Sequence, residues 1–435
     1  MRVISRADRC STLTAAAIAA VSICSTSFAA VPLATDYTLQ LQVRGNLAAN
    51  PGPSFNVPHG TTFNSTTVSM NNLGEVSSKI STIGTTDHQG VWYGPGNGTG
   101  SVVAELGNID VQSLSDVNLG DTGRIITSQS FSSQDGFYFR DRLQAPGLTF
   151  VGAAAGTSGS GYRVLPDNSI SARSSIGGVV GHRRFTSPGP AQTYVTQSAG
   201  SFSFLATAAP SDNGQIASRV FNDTQPSTGN DQIRRFDPDG TSTLIATEGG
   251  TLPGVAGTIS SFFNGVAMNA SGFVAFVATI SGQQQVVISD GTTTRLIANA
   301  ASPLVSAVDG FAPSVNSAGL VAFRGKEEDG DDAIFIGDGL GGLTRVIGEA
   351  DTINTDLGIA QLGQETATPP TFSGGIALND SNQIAFTTGL YPQGNRAVEW
   401  GTGIFIASVP EPTTMSALAI GAIALLARRA RRTSK

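Results

Sequence analysis

One eight-residue phrase occurs three times: Asn269-Ala-Ser-Gly272-Phe-Val-Ala275-Phe276, Asn316-Ser-Ala-Gly319-Leu-Val-Ala322-Phe323 and Asn379-Asp-Ser-Asn382-Gln-Ile-Ala385-Phe386. Fainter copies follow the same grammar at Asn71-Asn-Leu-Gly74, Asp121-Thr-Gly123, Pro166-Asp-Asn168 and Ser211-Asp-Asn-Gly214. Taking the Gly or Asn of each turn gives positions 74, 123, 168, 214, 272, 319 and 382, spaced by 49, 45, 46, 58, 47 and 63 residues. A period of this size means an array of supersecondary units that bury their faces only against one another.

Two further markers recur in phase with the first. One is an aromatic or apolar strand, seen at Val91-Trp92-Tyr93, Phe137-Tyr138-Phe139, Phe185, Phe236, Val286-Val287-Ile288, Ile334-Phe335-Ile336 and Ile404-Phe405-Ile406. The other follows it at Val102-Val103-Ala104, Thr193-Tyr194-Val195, Leu244-Ile245-Ala246, Leu296-Ile297-Ala298 and Val346-Ile347. In the motif itself, Asn or Asp with Gly two or three places on supplies the left-handed backbone of a hairpin turn, and Val/Ile-Ala-Phe is a short buried strand. Ala275, Ala322 and Ala385 are small where sheets approach, and Phe276, Phe323 and Phe386 fill the space between them. All six are packing residues.

Each repeat holds about four short strands, the size of a propeller blade as in WD-repeat or kelch proteins. The fold expected is all-β: a β-propeller of seven four-stranded blades over residues 36–408, followed by a C-terminal hydrophobic sorting helix. Six or eight blades and a β-sandwich array are the alternatives. The last repeat lacks the third marker and runs straight into the tail, whereas Thr38-Leu39-Gln40-Leu41-Gln42-Val43 precedes the first turn and resembles that marker. The N-terminal strand is therefore expected to complete the final blade and remove its open edge. The 53 glycines, without a G-X-Y period, agree with many tight turns.

Both ends read as addresses. Arg2, Arg6 and Arg9 precede an apolar or small-residue stretch from Ser11 to Cys24, and Ser27-Phe28-Ala29 offers small residues for cleavage after Ala29. Residues 1–29 are thus a secretory signal peptide. Cys10 and Cys24 are the only cysteines, so the exported body carries no thiol and no disulfide. At the other end, residues 409–435 run in the order Pro410-Glu411-Pro412, an apolar run from Met415 to Ala427, and Arg428, Arg429, Arg431 and Arg432. That run is 13 residues long, short of the ~20 a stable spanning helix needs, and its Arg flank tends to stay cytoplasmic.

This three-part tail resembles the PEP-CTERM sorting signal of bacteria that make exopolysaccharide. The resemblance implies transient insertion in the inner membrane and recognition by an exosortase-type transpeptidase cutting near Pro410, Glu411 and Pro412, with Arg428 and Arg429 in the basic cluster that completes the signal. It also implies residence at the cell envelope or in the extracellular matrix. The three strong motif copies resemble the NxxGxxAF tandem-repeat family, from which the other copies depart, for example with Ser218 in place of Phe.

Removing both ends takes eight basic and two acidic side chains from totals of 25 and 32, leaving a body of net charge −13. So acidic a surface repels phosphate backbones and excludes nucleic acid as a partner. The three histidines, His59, His88 and His182, lie far apart in none of the spacings zinc requires. Glu327-Glu328-Asp329-Gly330-Asp331-Asp332 is the one run able to wrap a hard cation, but it reads first as a solvated loop. Arg183, Arg184, Arg234 and Arg235 occupy equivalent strands of adjacent repeats and are candidates to line one face for a carbohydrate or carboxylate. No Gly-x-Ser-x-Gly nucleophile elbow, phosphate loop or Ser-x-Asp-x-Gly-x-x-Trp turn is present.

The sequence therefore points to an exported, non-catalytic repeat protein without cofactor, catalytic residue or metal site, binding extracellular polysaccharide or another envelope protein. A secreted propeller hydrolase or lyase acting on polysaccharide is the alternative.

Overall fold

A computed structural model describes residues 33–410, except 35, 47–49, 51, 64–67, 85, 87, 107–110, 132–135, 142–148, 151–157, 187–190, 227–228, 364–370 and 373. Ala29, Glu411, Pro412, Arg428, Arg429 and the Met415–Ala427 run lie outside the described residues.

All described regular structure is β. The strands group into seven antiparallel sheets, six of them meanders in chain order and the seventh a meander that takes in the N-terminal strand. The fifth is representative: Ile259–Met268, Val274–Ile280, Gln283–Ser289 and Thr294–Asn299 run from the innermost to the outermost strand. The motif supplies the turn between the first two strands, and the aromatic and aliphatic markers supply the third and fourth.

The sheets follow one another round a ring because each buries both faces. Ala217 and Ile233 of the fourth sheet share a cluster with Phe262 and Phe276 of the fifth, while Tyr194 of the third packs with Leu205 and Phe236 of the fourth. The motif's last two residues divide this work. Ala217, Ala322 and Ala385 face the following sheet, and Phe276 and Phe386 face the preceding one. All five are fully buried. Edge-to-face contacts of Phe276 with Phe262 (5.9 Å) and of Phe386 with Phe372 (5.8 Å) complete the packing.

Closure of the ring joins the two ends of the body. Thr38–Gly45 pairs antiparallel with Gly401–Ser408, from Thr38 opposite Ser408 to Gly45 opposite Thr402. The N-terminal strand is thus the outer strand of the last sheet, as the missing marker indicated. Ala385, Ile404 and Ile406 of that sheet then pack with Val68, Val76 and Trp92 of the first. Arg44 fastens the clasp. Its fully buried guanidinium donates to both Asp356 oxygens (2.9 and 2.7 Å) and to the carbonyls of Trp400 (2.6 Å) and Pro53 (2.5 Å). A charge removed from water this completely is tolerated because its pairing and hydrogen bonds are near complete.

Candidate functional site in the central channel

The seven motif turns are one backbone structure repeated. In each, the fourth residue's N–H donates to the carbonyl of the first at 2.8–3.1 Å, at Gly74, Gly123, Asn168, Gly214, Gly272, Gly319 and Asn382. All seven of these residues have φ between 60° and 83°. That is a type I turn closed by a left-handed residue, for which Gly and Asn are the suited side chains. Gly74 is confined for a second reason: an added Cβ would stand 2.8 Å from Gln383 Oε1 of the neighbouring turn.

The first residue of the motif has a different role. Asn71 Oδ1 accepts from the N–H groups of Leu73 and Glu75, and Asn379 Oδ1 accepts from Ser381 and Gln383, so the side chain caps its own turn. The amide's other end reaches the next sheet. Asn269 Nδ2 donates to Asn316 O (3.1 Å), Asn316 to Asn379 O (3.3 Å), Asn379 to Asn71 O (3.2 Å) and Asn71 to Gly120 O (3.1 Å). The relay thus passes straight across the chain's closure.

The other three faint copies hold Gly120, Leu165 and Ser211 at the first position and use other bonds instead. Thr122 Oγ1 donates to Asn168 Oδ1 (2.7 Å), and Asn213 Nδ2 donates to Ala270 O (2.8 Å). Arg163 pairs with Asp212 at 2.8 Å.

These turns form a collar round one mouth of the central channel, a cavity of about 480 Å³ lined by the innermost strands and turns of every sheet. The volume is in the range of small-ligand sites. Four aspartates and Arg163 line it: Asp121 accepts both the N–H and Nδ2 of Asn72, Asp380 Oδ1 accepts Ser317 N–H, Asp212 holds Arg163, and Asp116 stands on the wall. What the collar offers a ligand is a fixed array of amides, hydroxyls and carbonyls. Among the described residues, no group of three or more His, Cys, Asp or Glu side chains could hold a metal ion.

The sequence candidates fall elsewhere. Arg183 is buried in its own sheet, bonded to the carbonyls of Ser174 and Val179, and Arg184 is held by Asp167 and Ser169. Arg234 bonds Gln232 and Ser242, and Arg235 bonds Gly272 O in the next sheet. None of the four lines the channel; the channel arginine is Arg163. In the acidic run, Glu327 pairs with Arg345 (2.6 Å), while Asp332 accepts from Lys326 (2.7 Å) and Thr371 N–H (3.0 Å), so its carboxylates diverge. His59 is exposed and His88 is bound to Glu105 at 2.6 Å. Pro410 is exposed two residues beyond the last strand.

Sequence reasoning missed two groups. His182 is fully buried with neither ring nitrogen hydrogen-bonded, and burial, reinforced by Arg173 and Arg183, pushes its pKa down to about 3. Arg324 is buried with its guanidinium over the Phe311 ring, and burial lowers its pKa to about 10 against the opposing pull of Asp309 and Asp332.

A model of the Family of unknown function (DUF7453) matches residues 43–416, most of the chain. The chain belongs to this family. DUF7453 in this case spans the propeller from its closing strand onward. A PEP-CTERM protein-sorting motif matches residues 408–432, which makes this DUF7453 member an exported, envelope-associated protein sorted by exosortase. No curated protein matches it.

Solved structures resembling it include TolB from Acinetobacter baumannii (15% identity, 62% of each chain covered, TM-score 0.40). A puromycin hydrolase S511A mutant complexed with PGG is also similar (13% identity, 80% of this chain and 59% of that one, TM-score 0.48). A third is the polysaccharide lyase Uly1 (10% identity, 85% and 97%, TM-score 0.46). The DUF7453 chain spans less than two thirds of the first two. Likeness at this level carries no argument about activity.

Proposed function

We propose that this protein is a non-catalytic component of the envelope or extracellular matrix, built of NxxGxxAF-type repeats, whose propeller binds polysaccharide or another surface component at the collar of the central channel. The observation that carries this reading is the collar's chemistry. Asp121, Asp212 and Asp380 are fixed by neighbouring N–H groups or Arg163, and with Asp116 they stand among neutral amides, hydroxyls and carbonyls round a cavity of about 480 Å³. Oriented acceptors and amide donors suit the hydroxyl groups of a neutral sugar, and the excess of aspartates over Arg163 repels anionic ligands.

In the same reading, residues 1–29 are removed after Ala29, residues 36–408 are the working body, and 409–435 is the sorting segment. The apolar run inserts transiently while exosortase cuts near Pro410, Glu411 and Pro412, with Arg428 and Arg429 held on the cytoplasmic side. Mass spectrometry of mature protein tests the processing: an intact Arg cluster in secreted material contradicts it. Glycan-array binding without product release, weakened by Arg163→Ala together with Asp212→Ala, supports the binding role. Cleavage of a bound polysaccharide would replace it with the hydrolase or lyase alternative.

A further inference from the structure

The body's two ends leave it side by side from one face. Thr38 is paired with Ser408, and Thr38 Oγ1 donates to Ser408 O at 3.1 Å. That end of the last sheet is at the collar: Gln383 Nε2 donates to Ser408 Oγ (3.2 Å), and Gln383 also accepts from Asn379, a member of the amide relay. The signal peptide and the sorting tail are therefore joined to the same edge of the same face.

The tether from this edge is short. Between Ser408 and the apolar run beginning at Met415 stand six residues, two of them proline. Fully extended, they reach at most about 22 Å. The strand Gly401–Ser408 has eight residues, so the sheet it belongs to stands roughly 26 Å tall. A tail inserted in the bilayer cannot double back past the whole sheet and bring the far face to the lipid surface.

We infer that, while the sorting tail is inserted, the propeller is held with its collar face against the membrane surface, so that the channel mouth is screened until processing near Pro410–Pro412 releases it. The partner of the collar face in this state is the lipid surface itself. Processing then acts as an unmasking step: the mouth opens to extracellular ligands only after the tether is cut. This rests on the sorting reading above.

The cysteine-free body makes the test direct. Three single thiols are introduced into the exported chain: Leu73→Cys in the collar turn beside the exit, Pro166→Cys in the collar turn of the third sheet, and Glu328→Cys in the turn at the far end of the strand Val321–Lys326. All three positions are exposed. Membranes from cells lacking exosortase are treated with a polymer-linked maleimide, and the same variants truncated after Pro412 serve as the free reference. Labelling of Leu73→Cys and Pro166→Cys should be several-fold slower in the tail-bearing chain, with Glu328→Cys unchanged. A slowed Glu328→Cys, or Pro166→Cys labelled as fast as in the reference, overturns the orientation. A tail-bearing chain that does not sediment with membranes overturns the insertion reading, and the orientation with it.

Discussion

Asn379 donates its side-chain amide to the carbonyl of Asn71, 308 residues away in the chain, at 3.2 Å. The bond joins the last motif turn to the first, so the same side chain that caps a local turn also closes the ring. Asn379→Asp keeps the capping oxygen but sets a carboxylate oxygen against a carbonyl. We expect a loss of ~1–3 kcal/mol, the cost of a lost buried hydrogen bond plus an unsatisfied acceptor. Thermal melts of Asn379→Asp and of the equivalent Asn269→Asp should fall together; an unchanged midpoint would show the relay to be energetically idle.

Buried Arg44 and the partly exposed Asp356 form the ion pair behind the N-terminal clasp. Replacing Asp356 by Ala removes the charged partner of a buried guanidinium, with an expected cost of about 1–3 kcal/mol because water can reach the vacated position. The first element to loosen should be Thr38–Gly45. Limited proteolysis should cut this strand in Asp356→Ala before any other part of the propeller, whereas simultaneous unfolding of all sheets would contradict a local role.

His182 makes the fold sensitive to acid. Its folded pKa, about 3, lies below the ordinary histidine value, so the unfolded chain binds a proton that the folded chain refuses between about pH 6.5 and 3. Stability from this residue is fully present above pH 6.5 and declines as pH falls through that window. His182→Leu should flatten the acid limb of a stability-versus-pH curve while changing little at pH 8. An acid limb as steep as the parent's would place the sensitivity elsewhere.

The run Glu327 to Asp332 should not respond to calcium. Two of its carboxylates are held by Arg345 and Lys326 and do not converge. The expected result is equal melting midpoints with and without millimolar Ca²⁺. A rise abolished by Asp329→Asn with Asp331→Asn would reinstate a cation site.

Features governed by neighbours in sequence were legible without coordinates. The turn positions from Gly74 to Asn382, the Ala-Phe strands and the marker strands all depend on local backbone preference and on alternating burial. Even the closing strand at Thr38–Val43 could be read, since a repeat lacking its fourth strand must find one elsewhere. The C-terminal sorting motif was legible for a similar reason: charge, apolar length and prolines act through a chain segment rather than through a folded surface.

The tertiary structure alone decided which side chains meet across the ring. Nothing local to Arg44 indicates Asp356, and nothing local to Arg163 distinguishes it from Arg183 or Arg235, yet only Arg163 reaches the channel. His182 is an ordinary histidine in sequence, and its loss of basicity comes from burial between sheets. The Asn of the motif was readable as a turn residue, but its donation to the next sheet was not. A side-chain amide has two ends, and the partner of the second lies as far as 308 residues away. Period and turn chemistry repeat along the chain and so reveal the units; contacts between units depend on how the ring closes, which no single segment encodes.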